Sequence, residues 1–292
     1  MEPLSLKTRR LFAVGSFFLF VLVLPVVALY ASGYRLSGLS LVTTGGIHIS
    51  TPISGVSIFL NGEEVDRSNL FSKSFFFDNL DPGSYVVQTS IEGYVPWSKN
   101  ISVESRLVTD VAMLAVPQPF RILELVEATT TEPVALTATS TLKYIEAAAY
   151  ADFEEEFLAT TTEDEIVAST SEEVAELPSD TQSGVSLYVR EGDLSARWER
   201  STPPPSIFCT KPSACVEEFF IEKGAGTVGD ARFFKGGVLY RTLESGVFFS
   251  ELDVRQPRLQ VSVYSSPESE YRVINNTLYI KDGSQLYEVA NF

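Results

Sequence analysis

Hydrophobic residues follow three different rhythms along this chain. From Leu11 to Tyr34 they run almost without a break, and no charged side chain interrupts them. About 20 helical residues cover a hydrocarbon core of roughly 30 Å, so residues 11–34 predict a transmembrane helix. Pro25 lies inside it, which a membrane span tolerates better than a soluble helix does. From residue 44 to 115 the apolar positions alternate instead: Ile47 and Ile49, then Val56, Ile58 and Leu60, then Tyr85, Val87, Thr89 and Ile91, then Ile101 and Val103. A period of two predicts strands with one buried face. Asn61-Gly62 and Asp81-Pro82-Gly83 stand between runs as turn formers, so the expected unit is a small antiparallel β-sandwich.

Alternation returns over residues 184–292 as a recurring unit. Leu187-Tyr188 is followed by Gly192 and Trp198, Leu239-Tyr240 by Gly246 and Phe249, and Leu278-Tyr279 by Gly283 and Leu286-Tyr287. Each copy predicts a β-hairpin, and the copies recur at roughly the 40 to 50 residues of a propeller blade. Too few copies are present for a closed ring of about four blades, so an antiparallel β-meander or partial propeller-like domain is expected.

Charge changes the picture between these regions. Of the chain's 38 acidic residues, fifteen fall between Glu124 and Asp180, opposed there by Lys143 alone, so this stretch carries nearly all of the net charge of −16. Thr and Ser fill much of the rest, and such a composition cannot bury enough apolar area to offset the entropy of ordering. Residues 120–183 are therefore expected to form a disordered acidic linker. Inside it, Leu142, Ile145, Ala149, Phe153 and Phe157 fall at helical spacings and predict a short helix over 141–158, docked on a neighbouring domain or offered to a partner. The acidic balance also excludes nucleic acid as a partner, because the clustered cations lie in the first ten residues.

Those cations, Lys7, Arg9 and Arg10, precede the apolar run, and Arg35 alone follows closely. The positive-inside rule then makes residues 1–10 a cytoplasmic N-terminus and the bulk of the chain extracytoplasmic. A cleaved signal peptide is the competing reading, with Ala31-Ser32-Gly33 as an imperfect cleavage site, although the apolar run exceeds the usual length. Both readings imply export.

Three spaced motifs carry a family resemblance. The segment from Ile47 through Pro52 and Gly55 to Asn61-Gly62, then Leu80-Asp-Pro82-Gly83 with Tyr85, then Gly93-Tyr94 with Trp97, resembles the PEGA domain of bacterial and archaeal surface-associated proteins. The likeness covers residues 44–115, and Pro52-Ile-Ser-Gly55 stands where the eponymous motif would be. It implies an extracytoplasmic β-sandwich used for binding or display, not a catalyst. Tyr94 and Trp97 are the candidate ligand platform, on which a sugar ring could stack. The alternative is that both plug the sandwich core, since large aromatics dominate burial in small β domains.

Enzyme chemistry is sparse. His48 is the single histidine, and only two cysteines occur, which leaves the usual zinc sets unassembled. His48 sits between Ile47 and Ile49 and is expected to face solvent. Gly224, Gly226 and Gly229 mimic dinucleotide-loop spacing, but Asp230-Ala-Arg-Phe-Phe follows rather than a helix. Cys209 and Cys215 are expected to form a disulfide in an exported protein. No catalytic, cofactor-binding or metal-binding residues are assigned. The expected function is a noncatalytic membrane-anchored scaffold or binding module for a cell-wall, surface-layer or envelope protein partner. The alternatives are a glycan-binding module and a carboxylate-dependent glycoside hydrolase.

Overall fold

The structure is a computed structural model that describes residues 6–37, 40–127, 142–145, 150–151, 157, 177–224 and 227–292. It is mainly β, with one N-terminal apolar helix and several antiparallel sheets.

The helix, α1, spans Leu6–Ala31 with Pro25 inside. Its 26 residues reach about 39 Å at 1.5 Å per residue, enough to cross a bilayer core. None of its most apolar stretch is buried against the rest of the chain. It stops at Gly33, whose φ of 77° is the left-handed conformation that ends helices, with the Gly33 amide bonded to the Tyr30 carbonyl. An antiparallel pair, Tyr34–Ser37 with Ser40–Thr43, follows at once.

Two sheets then face each other. One has the order Ser74–Leu80, Gly45–Ser50, Val108–Ala112; the other runs Glu63–Arg67, Ser57–Leu60, Gly83–Ser90, Trp97–Val103. Ile47, Ile49, Ile58, Val87 and Ile101 fill the space between them and are fully buried. At the first hairpin Asn61 and Gly62 both take positive φ, as a tight primed turn requires. The Asp81-Pro82-Gly83 turn works differently from expectation. Gly83 opens its strand, and the positive φ falls on Asn79.

Residues 177–292 form three meanders in sequence, two of four strands and one of three that is extended by strands from outside this segment. The first is Asp180–Gln182, Val185–Arg190, Asp193–Trp198 and Glu218–Glu222; the second is Val228–Phe234, Gly237–Thr242, Gly246–Glu251 and Gln260–Tyr264. The third has Glu270–Ile274, Thr277–Asp282 and Gln285–Val289, and its fourth strand, Ile122–Glu127, comes from the region before all three meanders. Each recurring sequence unit is the central hairpin of one sheet. The glycine-spaced motif around Gly224 leads into the strand Val228–Phe234.

The acidic region departs from the expected linker. Ile122–Glu127 and Leu142–Ile145 pair in parallel and extend the third sheet, and Asp180–Gln182 is the edge of the first. Leu142–Ile145 is thus strand where helix was expected, because pairing along Ile122–Glu127 supplies backbone partners that a short isolated helix would have to provide for itself. Further along, Tyr150, Ala151 and Phe157 are helical, and buried Phe157 packs with Leu125, Tyr279 and Leu286 on the third sheet. The remainder of the predicted linker and helix, residues 128–141, 146–149, 152–156 and 158–176, lies outside the described residues.

A single apolar cluster runs from the sandwich into the second and third meanders, joining Ile47, Trp97 and Val111 to Phe249, Tyr271 and Val289. The first meander packs on the second through Leu187, Leu194, Phe208 and Tyr240. The sandwich and the C-terminal sheets are therefore one packed body.

Candidate functional site

Strand periodicity places Trp97, Lys99, Ile101 and Val103 on one face of the last sandwich strand, and all four are buried. A lysine at an inward position needs a partner, because a lone charge in an apolar setting is costly. It finds one across the junction. Lys99 Nζ lies 2.6 Å from Glu251 Oε2, with side-chain exposures of 0% and 5%. Lys99 also donates to the Arg255 carbonyl at 3.1 Å, while Trp97 Nε1 donates to Glu251 Oε1 at 2.8 Å. The Leu259 amide completes the carboxylate's set at 3.2 Å. Beside it, Arg255 forks onto Asp253 and reaches the Asp110 carbonyl at 3.0 Å. Two ion pairs, Lys99 with Glu251 and Arg255 with Asp253, so close the seam.

Trp97 is therefore a buried anchor between the sandwich and the second meander, which removes it from any exposed sugar platform. Tyr94 is separate and half-buried, bridged to Pro117. It lines a cleft of about 430 Å³ between the two parts of the body, with Ile53, Leu114, Ile207, Lys235 and Phe292 among its walls. These walls are mostly apolar, and the cleft is the concave feature nearest the predicted platform.

Cys209 and Cys215 are joined as a disulfide that closes the hairpin Cys209–Lys211 with Ala214–Cys215. That hairpin docks on the sandwich. Ser213 gives its amide and hydroxyl to Glu104 at 2.8 and 2.6 Å, and Lys211 stands 3.7 Å from the same carboxylate. The Ser213 hydroxyl bond, with its amide and Lys211 in support, holds the Glu104 carboxyl below its ordinary value.

The outer face of the three-stranded sheet carries an arrangement that sequence reasoning missed. His48 stands opposite Asp110 on one neighbouring strand and diagonal to Ser74 on the other. Its Nδ1 is 2.5 Å from Asp110 Oδ1 and its Nε2 is 2.5 Å from Ser74 Oγ. In the tautomer with its proton on Nδ1, the ring donates to the carboxylate and Nε2 accepts from the hydroxyl. This is the connectivity of a Ser-His-Asp relay. It sits on an open sheet face, with His48 half-buried and Ser74 and Asp110 exposed. Ser74 and Asp110 lie 26 and 62 positions from His48, so no local motif announces the three. The available signal was that all occupy outward positions of strands that turn out to be adjacent.

A further polar cluster lies on the first meander. Glu218 accepts from Ser195 at 2.8 Å and meets Arg197 and Arg190 at 3.3 and 3.4 Å. Burial alone would raise its carboxyl, but the Ser195 hydroxyl and the two guanidiniums outweigh it and hold the group below its ordinary value. The Arg197 and Arg190 guanidiniums lie 4.7 and 5.0 Å from the centre of the Tyr188 ring. In the second meander, burial pushes the Tyr240 phenol well above its ordinary value, with Glu222 beside it adding to the shift.

Among the described residues no three His, Cys, Asp or Glu side chains come together as a metal-binding group. Comparison with protein-family models and with curated proteins finds no match to this chain.

Proposed function

We propose that this chain is a noncatalytic, membrane-anchored envelope protein that displays a rigid β body on the extracytoplasmic side, as a scaffold or binding module for a surface partner. The observation that carries this reading is the direct passage from an apolar helix long enough to span a bilayer into one continuously packed β structure. Lys7, Arg9 and Arg10 before the span favour a cytoplasmic start. The likeness of residues 44–115 to PEGA domains supports a role in display or binding, and the intramolecular disulfide suits an oxidising compartment. The sandwich and meanders share a core and are not held apart by the stretch expected as a linker. A partner would meet both together, and the Tyr94 cleft between them is the concave place to receive it.

Location is tested with Leu70→Cys, a change at an exposed position. The two native cysteines are disulfide-bonded, so a membrane-impermeant maleimide reports the new thiol. Labelling of intact cells is expected. Labelling only after lysis would reverse the orientation.

One observation favours a second reading, in which Ser74 acts as a nucleophile: the hydrogen-bonded run from Ser74 through His48 to Asp110. A fluorophosphonate probe separates the two. The noncatalytic reading expects no labelling, whereas labelling abolished by Ser74→Ala and His48→Gln would establish a hydrolase-type site. The exposure of Ser74 and Asp110 to solvent weighs toward the first.

A further inference from the structure

A groove of about 440 Å³ lies where α1 meets the sandwich, between Tyr30–Gly33, the glycines Gly45 and Gly46, and Arg106. Large apolar side chains stand exposed along its rim, among polar ones. Phe76 is 58% exposed and Val108 49%, with Leu107 beside them and Leu41 on the nearby hairpin also exposed. The rim is held against the helix end, since Asn79 Nδ2 donates to the Tyr30 hydroxyl at 2.8 Å. Arg35 reaches the Asn79 carbonyl at 3.1 Å and Asp81 at 2.9 Å. The Arg106 guanidinium lies over the Tyr34 ring at 5.9 Å. Asp78 is the anionic group lining the groove.

The nearness of the span restricts what can cover this rim. The helix ends at Ala31, and the Gly33 carbonyl just beyond it accepts from the Thr44 amide at 2.7 Å, one residue before the first sandwich strand, so the span and the sandwich stand next to each other. The polar layer of a bilayer is roughly 5 to 8 Å deep on each side of the core. Tyrosines and arginines at that depth are the side chains that headgroups favour.

We infer that this end of the sandwich is a lipid-contact surface: Phe76, Leu107, Val108 and Leu41 rest on the headgroup layer of the outer leaflet, and Arg106 pairs with a phospholipid phosphate. The inference rests on the membrane-anchored reading above, and it adds a second attachment that fixes the β body's tilt. Exposed apolar area continuous with a membrane span is covered by lipid, whereas the same area in water would be an association hazard.

The chain's own Trp97 and Trp198 stay in place, so tryptophans added one at a time read this out as the change from the unsubstituted protein, in vesicles of phosphatidylglycerol and phosphatidylcholine carrying quenchers either in the headgroup region or deep in the acyl chains. Leu22→Trp, inside the span, is expected to lose emission to the deep quencher. Phe76→Trp is expected to lose emission to the headgroup quencher. Leu70→Trp, exposed in the loop before the Ser74–Leu80 strand, at the opposite end of that strand from Asn79 and Tyr30, is expected to lose none. Arg106→Glu is expected to reduce quenching at position 76 and leave position 22 unchanged. Quenching at 22 with none at 76 overturns the lipid-contact surface alone. Absence of quenching at 22 overturns the membrane anchor and the inference built on it.

Discussion

At the residue scale the decisive group is Lys99. Its position in the Trp97–Val103 strand faces inward, and its charge is tolerated because Glu251, Trp97 and the Arg255 carbonyl surround it. Breaking one side of a buried, hydrogen-bonded pair costs about 3 to 5 kcal/mol, mostly because the other charge is left without a partner. Glu251→Gln and Lys99→Met should each lower unfolding free energy by about that amount in urea titrations, and the paired change Lys99→Met with Glu251→Leu should recover most of it. Trp97→Ala should act like a core truncation, at about 3 to 5 kcal/mol. Glu218 predicts a pH effect. Its folded carboxyl titrates below its unfolded value, so its contribution is present above the ordinary Glu value near 4.3 and is lost as pH falls through the depressed one. Glu218→Gln should flatten the acid side of the stability profile and leave the alkaline side alone. The effect is modest because about a third of the side chain is exposed.

At the scale of elements, local pattern and long-range pairing contribute differently. The hairpins at Leu187, Leu239 and Leu278 were legible because alternation and a glycine turn are local properties, and each became the middle of a sheet. Leu142–Ile145 was not, because its apolar spacing suits a helix and only the Ile122–Glu127 edge makes a strand the better solution. The disulfide hairpin shows the same division. Cys spacing suggested the bond, but its docking on Glu104 came from the fold. Closing so short a loop stabilises by about 2 kcal/mol on chain-entropy grounds. Replacing both cysteines by serine should cost about that much. It should also loosen Ser213 from Glu104, visible as faster amide exchange at Ser213.

At the scale of the whole molecule, the shared cluster predicts cooperative behaviour. The buried residues of the sandwich touch those of the second and third meanders, which in turn carry the first. Scanning calorimetry should therefore show one unfolding transition for the sandwich and meanders together. Two well-separated transitions would contradict the continuous core. The strand Ile122–Glu127 makes the same point, since it follows the sandwich and pairs with Gln285–Val289 in the last sheet. Leu125→Asp, at a buried position of that strand, should lower the midpoint of the single transition rather than split it.

Sequence alone determined the apolar span, the alternating strands, the turn at Asn61-Gly62 and the location of the negative charge, because each depends on neighbours within a few positions. Tertiary structure decided the rest. It put Lys99 and Trp97 against Glu251, His48 between Ser74 and Asp110, and the meanders against the sandwich. These contacts join residues tens to more than a hundred positions apart, and no periodicity within one segment encodes which faces will meet. Burial of common apolar area selects the pairing of faces, and the polar groups caught at the seams must then find partners there.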